Sequence, residues 1–419
     1  MGERPAPVRI DDWSEPQFSP AITELRQSLE GMAASIRIEP TPLLVDAAAA
    51  TGVDDLGIAD DPGFAERLAV VCRAFREEAH LDAWGTVSNH GLLSQVLRNR
   101  FLLADLLRRH PEIHDVPIER PIIILGLPRT GTTHLHNLLA ADPALRSLPY
   151  WEALEPVLPD AERPGPGEPD PRRARTAFAL DIVNSSMPYF VRMHEMTVDH
   201  AHEEIQLLAM DMSSMLFECT APMPSLRDHY LARDQTPSYQ YLRTALQALT
   251  WLRGGERWVL KSPQHLEQIR VLLDVFPDAT FVVTHRDPVA VTGSVLAMLA
   301  YSARMSTAHP DPVAVGDYWA PRIEDLLNAC LRDHDLLPPE RTVDVRLDEL
   351  VADDVGVVER IYGAAEQPLD DTSRAAVAAY RDAHPQGRHG TVLHDLADFD
   401  VDPTERAKAL APYAERFGV

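Results

Sequence analysis

The sequence predicts an α/β protein: a central parallel sheet flanked by helices in three layers, preceded by a helical extension. Three observations carry this reading. Residues 121–125, PIIIL, form a short apolar run that breaks at Gly126 and gives way to a helical pattern, as a strand buried on both faces does. The block 257–300 then repeats strand–turn–helix twice, with strands at 258–260 and 279–284 and with Ser262-Pro263 and Asp287-Pro288 as helix openings. A further strand, 342–346, leads into the acidic turn DELVADD. Such alternation argues for parallel strands covered on both sides.

Taken in order, residues 1–115 read as helices at 21–32, 42–50, 64–78 and 91–110, an extension expected to serve packing or oligomerisation. Residues 116–419 are expected to form the main domain. Within it, 159–173 is a Pro/Gly/charge segment without periodicity, expected as an exposed loop. Residues 174–254 read as a helical insertion, with a helix start at Thr236-Pro237. Seven of the eleven methionines fall between Met187 and Met223, a composition that suits either plain core or an adaptable apolar pocket. A long helix is expected at 312–334.

The chain has 419 residues and a formal net charge of −25, which opposes general nucleic-acid binding and attachment to anionic membranes. An anionic small molecule remains compatible if a few cations converge locally. Three distant cysteines, Cys72, Cys219 and Cys330, have no metal-ligand spacing and suit a reducing compartment. No secretory signal or membrane-span pattern is visible, so a cytoplasmic location is expected. His200, His202, Glu203 and Glu204 lack the HExxH spacing of a zinc site.

The chemistry concentrates at Gly126 to Thr133, GLPRTGTT. A glycine-bounded loop between strand and helix directs backbone N–H groups inward, and the helix adds the positive end of its dipole. Gly126 and Gly131 have the spacing of P-loop glycines, but the Lys of a nucleoside-triphosphate loop is replaced by Thr132, and the cation is Arg129. Lys261 and Arg286 emerge at strand C-termini, the edge where open parallel sheets bind ligands.

Pro128 to Thr133, Pro-Arg-Thr-Gly-Thr-Thr, resembles the first signature of the sulfotransferases that use 3'-phosphoadenosine 5'-phosphosulfate (PAPS), in their bacterial-type branch. Arg286 with Ser294, eight positions on, resembles the second. Residues 388–390, Arg-His-Gly, resemble more loosely the basic loop that closes over the 3'-phosphate. The resemblance implies a P-loop fold in which Arg129, Thr130, Gly131, Thr132 and Thr133 hold the 5'-phosphate and sulfonate. Arg286, Ser294, Arg388, His389 and Gly390 would hold the 3'-phosphate. Lys261 would stabilise the leaving oxygen without a metal, and the product would be adenosine 3',5'-bisphosphate.

The acceptor implied is a hydroxylated or amino small molecule or lipid, which needs a general base. One branch of the family uses a His two residues after the strand-end Lys, but that position is Pro263 here, and His265 would already sit in the helix. Other branches use a Glu about twenty residues beyond the loop's basic residue, which makes Glu152 the first choice, with Glu155, His200, His202 and Glu204 in reserve. Two competing readings are a P-loop kinase, which requires magnesium, and a nucleotide-binding protein without transfer activity.

Overall fold

The computed structural model describes residues 5–53, 57, 61–385 and 387–419. Six strands are present among them: β1 (Val8–Arg9), β2 (Ile122–Leu125), β3 (Val259–Ser262), β4 (Thr280–His285), β5 (Thr342–Arg346) and β6 (Val392–Leu393). The main sheet is four-stranded and parallel throughout, in the order β3-β2-β4-β5.

The two faces of β2 explain the unbroken apolar run. Ile123 and Leu125 point into a large core shared with helices from both ends of the chain. Ile122 and Ile124 point the other way, against Leu135, Leu138 and Leu139 of the helix Thr132–Ala140 and against Ile361 and Tyr362. All four side chains of β2 are fully buried, so each position favours an apolar residue. The result is the three-layer α/β arrangement expected.

The N-terminal region is more than an extension of helices. Its helices, Pro20–Ser28, Glu30–Ala33, Pro40–Thr51, Pro62–Glu77 and Ala83–Arg109, contribute Leu43, Phe64, Phe75, Leu97 and Phe101 to the same buried cluster as Phe281 of β4. The last helix begins well before the expected residue 91, because Asp82 caps it by accepting a hydrogen bond from Gly85 N at 2.7 Å. The helix expected at 21–32 is divided at Leu29. β1 pairs in parallel with β6, Val8 with Val392 and Arg9 with Leu393, so the first described residues lie against the last loop of the chain.

The insertion is also less helical than its composition predicts. Helices occupy Pro171–Ser186, Ile205–Ala209, Pro224–Leu231 and Thr236–Arg253, whereas 193–204 and 210–223 are turns and irregular chain. Thr236 lies inside its helix, and Asp234 Oδ1 accepts from Thr236 N at 2.9 Å. Among the described residues, no helix is long and apolar enough to cross a membrane.

Candidate active site

The loop after β2 is held by contacts that only its own residues permit. A Cβ on Gly126 would come 2.0 Å from Thr284 Oγ1, so the chain passes β4 at a distance that glycine alone allows. Gly131 has a φ of +92°, and Arg129 is also left-handed at +74°, an uncommon conformation for a residue with a side chain. The hydroxyl of Thr130 turns inward, within 2.7 Å of both Leu127 O and Thr284 Oγ1. Its side chain therefore fixes the loop, and what Thr130 can offer a ligand is its backbone. Thr132 and Thr133 open the following helix and line the adjoining cavity.

The cations gather around this loop. Arg129 donates from Nε to Ser294 Oγ at 3.0 Å and from its guanidinium to Met193 O. Arg286 donates to the backbone oxygen of Arg129 at 2.7 Å. The structure thus joins the three residues that the two signatures separate by more than 150 positions. Neither guanidinium makes an ion pair among the described residues, although the chain carries 64 acidic residues. Desolvation and the neighbouring Arg286 push Arg129 down to about 10. Desolvation likewise lowers Arg286, partly offset by Asp287. An anion placed here would reverse both effects.

Lys261, on β3, is buried and paired through Nζ with Glu203. Its backbone N–H donates to both carboxylate oxygens of Glu204 at 2.9 Å. Glu204 in turn lies 3.2 Å from His265 Nε2, and His265 Nδ1 lies 2.9 Å from Tyr239 OH. Burial raises the Glu204 carboxyl, and His265 opposes that rise. Glu204 is therefore committed to holding β3 in place. Ser262 ends β3 and stands at the N-cap of the turn Pro263–Glu267, as expected, but its hydroxyl is buried without a partner and makes no cap bond.

The first-choice base is not at this site. Glu152 sits in the short helix Tyr150–Leu154 with its carboxylate fully buried between Arg146 at 2.6 Å and Arg253 at 2.9 Å. It is absent from the cavity wall, and both of its oxygens face guanidinium groups. Glu155 is tied to Arg175 at 2.8 Å. Chain separation from Arg129 placed both residues near the loop in sequence, but the helix turns their side chains to another face.

Residues 193–204, expected as helix, bring other groups to the cavity. His194, His202 and Glu203 line it together with Arg129, Thr132 and Thr133, and its volume is about 270 Å³. Thr197 N–H donates to His200 Nδ1 at 3.1 Å, and the same nitrogen lies 2.6 Å from Thr197 O. His200 Nε2 and His202 Nδ1 lie 3.1 Å apart. His202 Nε2 is a buried atom without a partner. Burial holds His194 and His202 well below the ordinary imidazole range, reinforced by nearby Lys261 and the other histidines. His136, behind them, is pushed down to about 3 by burial and Lys261. Apart from Tyr150, Gln206 and Cys219 the remaining wall is apolar, with Met215, Met298, Leu299, Trp319, Ile323 and Leu326 among its residues. Two of the cavity methionines, Met196 and Met215, come from the cluster seen in the sequence.

The C-terminal basic loop reaches this region in a restrained form. Arg388 pairs with Glu195, and His389 Nε2 lies 3.1 Å from the other oxygen of that carboxylate. Gly390 has a φ of +83°, and a Cβ there would crowd Arg192 and the backbone of Pro5. Arg192 also donates to Ala6 O at 2.8 Å, so the N-terminal strand, the 190s and this loop are tied together. Gln386 of the loop lies outside the described residues. His394, which the sequence reading passed over, packs against Gly293, and Arg129 and Arg286 add to the desolvation that lowers it.

The class these features define is an α/β protein with an apolar cavity set against a glycine-bounded, cation-bearing loop. The sequence profile described as Sulfotransferase family matches residues 121–371, more than half of the chain, and the chain belongs to that family. It is 26% identical over 256 residues to Stf3 of Mycobacterium bovis and of Mycobacterium tuberculosis, described as an omega-hydroxy-beta-dihydromenaquinone-9 sulfotransferase. That match covers 58% of this chain and 61% of the relatives, so it spans less than two thirds of their length. The crystal structure of sulfotransferase STF1 from Mycobacterium tuberculosis superposes with a TM-score of 0.77 at 28% identity, covering 90% of this chain and 99% of the other. STF9 from Mycobacterium avium gives a TM-score of 0.79 at 25% identity, covering 92% and 98%.

Proposed function

We propose that this protein transfers a sulfuryl group from PAPS to a hydroxyl on an apolar, lipid-like acceptor. The observation that carries this reading is the pair of guanidinium groups, Arg129 and Arg286, left without carboxylates at a loop that opens onto an apolar cavity. They suit two separated anionic groups, which a bisphosphorylated nucleotide has and which an Arg-to-carboxylate network would have neutralised. PAPS, when bound, supplies the sulfuryl group and leaves as adenosine 3',5'-bisphosphate.

The chain's own residues divide the remaining work. Arg129, with the backbone of Thr130 and Gly131 and the hydroxyls of Thr132 and Thr133, holds the 5'-phosphate and sulfonate. Arg286, Ser294, Arg388, His389 and the Gly390 backbone hold the 3'-phosphate. Lys261 leaves Glu203 and stabilises charge on the leaving oxygen. His202 Nε2 takes the acceptor's proton: it belongs to a cavity-wall imidazole that burial holds neutral, and it is buried without a hydrogen-bond partner. His200 positions that imidazole. The methionine-rich wall excludes water from the transfer and accommodates an aliphatic chain. That relatives are described as menaquinone-derivative sulfotransferases supports an acceptor of this class.

Titration calorimetry tests the donor: adenosine 3',5'-bisphosphate should bind and ATP with magnesium should not. No binding of the bisphosphate at tens of micromolar refutes the reading. Incubation with PAPS and a panel of long-chain hydroxylated lipids, read as a sulfonate mass increment, tests the acceptor. His202→Gln should abolish transfer and retain bisphosphate affinity, whereas full activity in that variant and loss in Glu203→Gln would move the base to Glu203.

A further inference from the structure

A second constellation lies apart from the cavity, on the outer part of the sheet. His285 ends β4, Asp344 lies on the neighbouring β5, and His334 occupies the turn His334–Leu336 that follows the helix Pro312–Asp333. In the register of these strands Val283 pairs with Asp344 and His285 with Arg346, so His285 and Asp344 project from the same face, two residues apart. Both imidazoles aim Nε2 at one atom: Asp344 Oδ1 is 2.9 Å from His285 and 2.8 Å from His334.

We propose that His285, His334 and Asp344 form a transition-metal site with the ligand chemistry of zinc, separate from the anion-binding loop. Two imidazole nitrogens and one carboxylate oxygen, within 4.8 Å of one another, supply the donor set that borderline-soft divalent ions prefer. Tetrahedral coordination at about 2.0–2.2 Å separates neighbouring ligand atoms by roughly 3.3–3.6 Å. The two contacts to Asp344 therefore need to lengthen by roughly 0.4–0.8 Å. The half-exposed carboxylate of Asp344 leaves the fourth position to water.

The surroundings hold these rings as a ligating pair requires. His285 Nδ1 lies 2.7 Å from Tyr413 OH, the contact through which a ligating histidine's other nitrogen is oriented. The His285 ring stacks on Phe417 at 4.0 Å and 15°, and the His334 ring meets the edge of Phe417 at 5.0 Å. Asp335 is 3.9 Å from His334 Nδ1 and carries Arg416 at 2.6 Å, which compensates the nearest cation. Cys330, raised to about 12 by burial, stays a thiol outside the donor set. Without a metal the same geometry closes as two N–H donors on one oxygen, so the site can be loaded or empty without refolding.

The full chain, dialysed against chelator, should take up one zinc ion in calorimetry with zinc chloride, and cobalt should give the visible absorption of a four-coordinate ion. His334→Ala and Asp344→Asn should remove this uptake, the second with little change of shape. Tyr413→Phe should weaken it roughly 10–100-fold while keeping the aromatic packing. The proposal is overturned if the wild-type chain binds no zinc at 100-micromolar metal, on the order of a weak adventitious site. It is equally overturned if uptake survives His334→Ala and disappears in His200→Ala, which would place the ion in the cavity's histidines.

Discussion

Replacing Glu195 by Gln should tighten the binding of adenosine 3',5'-bisphosphate and at the same time weaken the fold. The Glu195 carboxylate engages Arg388 and His389, two of the groups proposed to meet the 3'-phosphate. Desolvation raises this carboxyl, but Arg388 and His389 outweigh it and hold it below the usual range. The latch must open before Arg388 can turn to a ligand, and its energy is subtracted from binding. All three side chains are 27–34% exposed, so the pairs belong to the weakly stabilising class, about 0.2–1 kcal/mol. Removing the charge while keeping the shape should therefore lower Kd by roughly 1.5–5-fold, with a comparable loss of unfolding free energy. Calorimetry gives the first quantity and urea denaturation the second. The gain in affinity should shrink in high salt, because the latch itself is screened. Arg388→Ala, which removes a proposed ligand contact with the latch, should instead weaken binding. An unchanged or higher Kd in Glu195→Gln refutes the argument that Glu195 competes with the nucleotide.

Three other outcomes follow from the same geometry. Arg286→Ala should weaken the bisphosphate by about 1.5–3 kcal/mol, some 10–150-fold, the scale of a charge-assisted hydrogen bond, as read by calorimetry. His136, His194 and His202 are held neutral below the ordinary 6.5, so the unfolded chain binds more protons as pH falls through that value. Their contribution is full above about pH 6.5 and is lost progressively below it, down to about 3 for His136, by at most about 1.4 kcal/mol per pH unit for each. Urea midpoints from pH 7.5 to 5 should show it, and kcat/KM should keep its acid limb below 6.5 if His202 is the base. Gly126→Ala should destabilise the chain by roughly 1–3 kcal/mol or more in urea, because its methyl would meet Thr284 Oγ1 at 2.0 Å.

What could be read from the sequence was local punctuation. The buried run at β2, the prolines after Ser262 and Asp287, and the glycines of the loop set the strand ends at which Lys261 and Arg286 stand. Side-chain direction was not legible where it depends on distant packing. Glu152 lies near the loop in sequence, yet Arg146 and Arg253 take up its carboxylate. Residues 193–204 fall in the stretch read as a helical insertion, whereas the chain there turns repeatedly and so brings His202 and Glu203 to the cavity. β1 had no local signal, since two residues form a strand only because β6 arrives beside them.

Net charge was the least direct guide. A chain at −25 has carboxylates to spare, and most buried arginines find one, as Arg322 does with Glu267 at 2.7 Å. Arg129 and Arg286 do not: their guanidinium groups donate instead to the Ser294 hydroxyl and to the backbone oxygens of Met193 and Arg129. Among the described residues no carboxylate pairs with either guanidinium, at the loop proposed to hold the nucleotide. The long-range field of so acidic a protein would slow the approach of a nucleotide bisphosphate, so association should accelerate with ionic strength while dissociation also quickens. Stopped-flow measurement of both rates between 20 and 300 millimolar salt, roughly a fourfold change in Debye length, separates these two effects. An association rate that falls with salt would mean that the local cations at Arg129 and Arg286 dominate the approach, and that the acidic surface lies elsewhere.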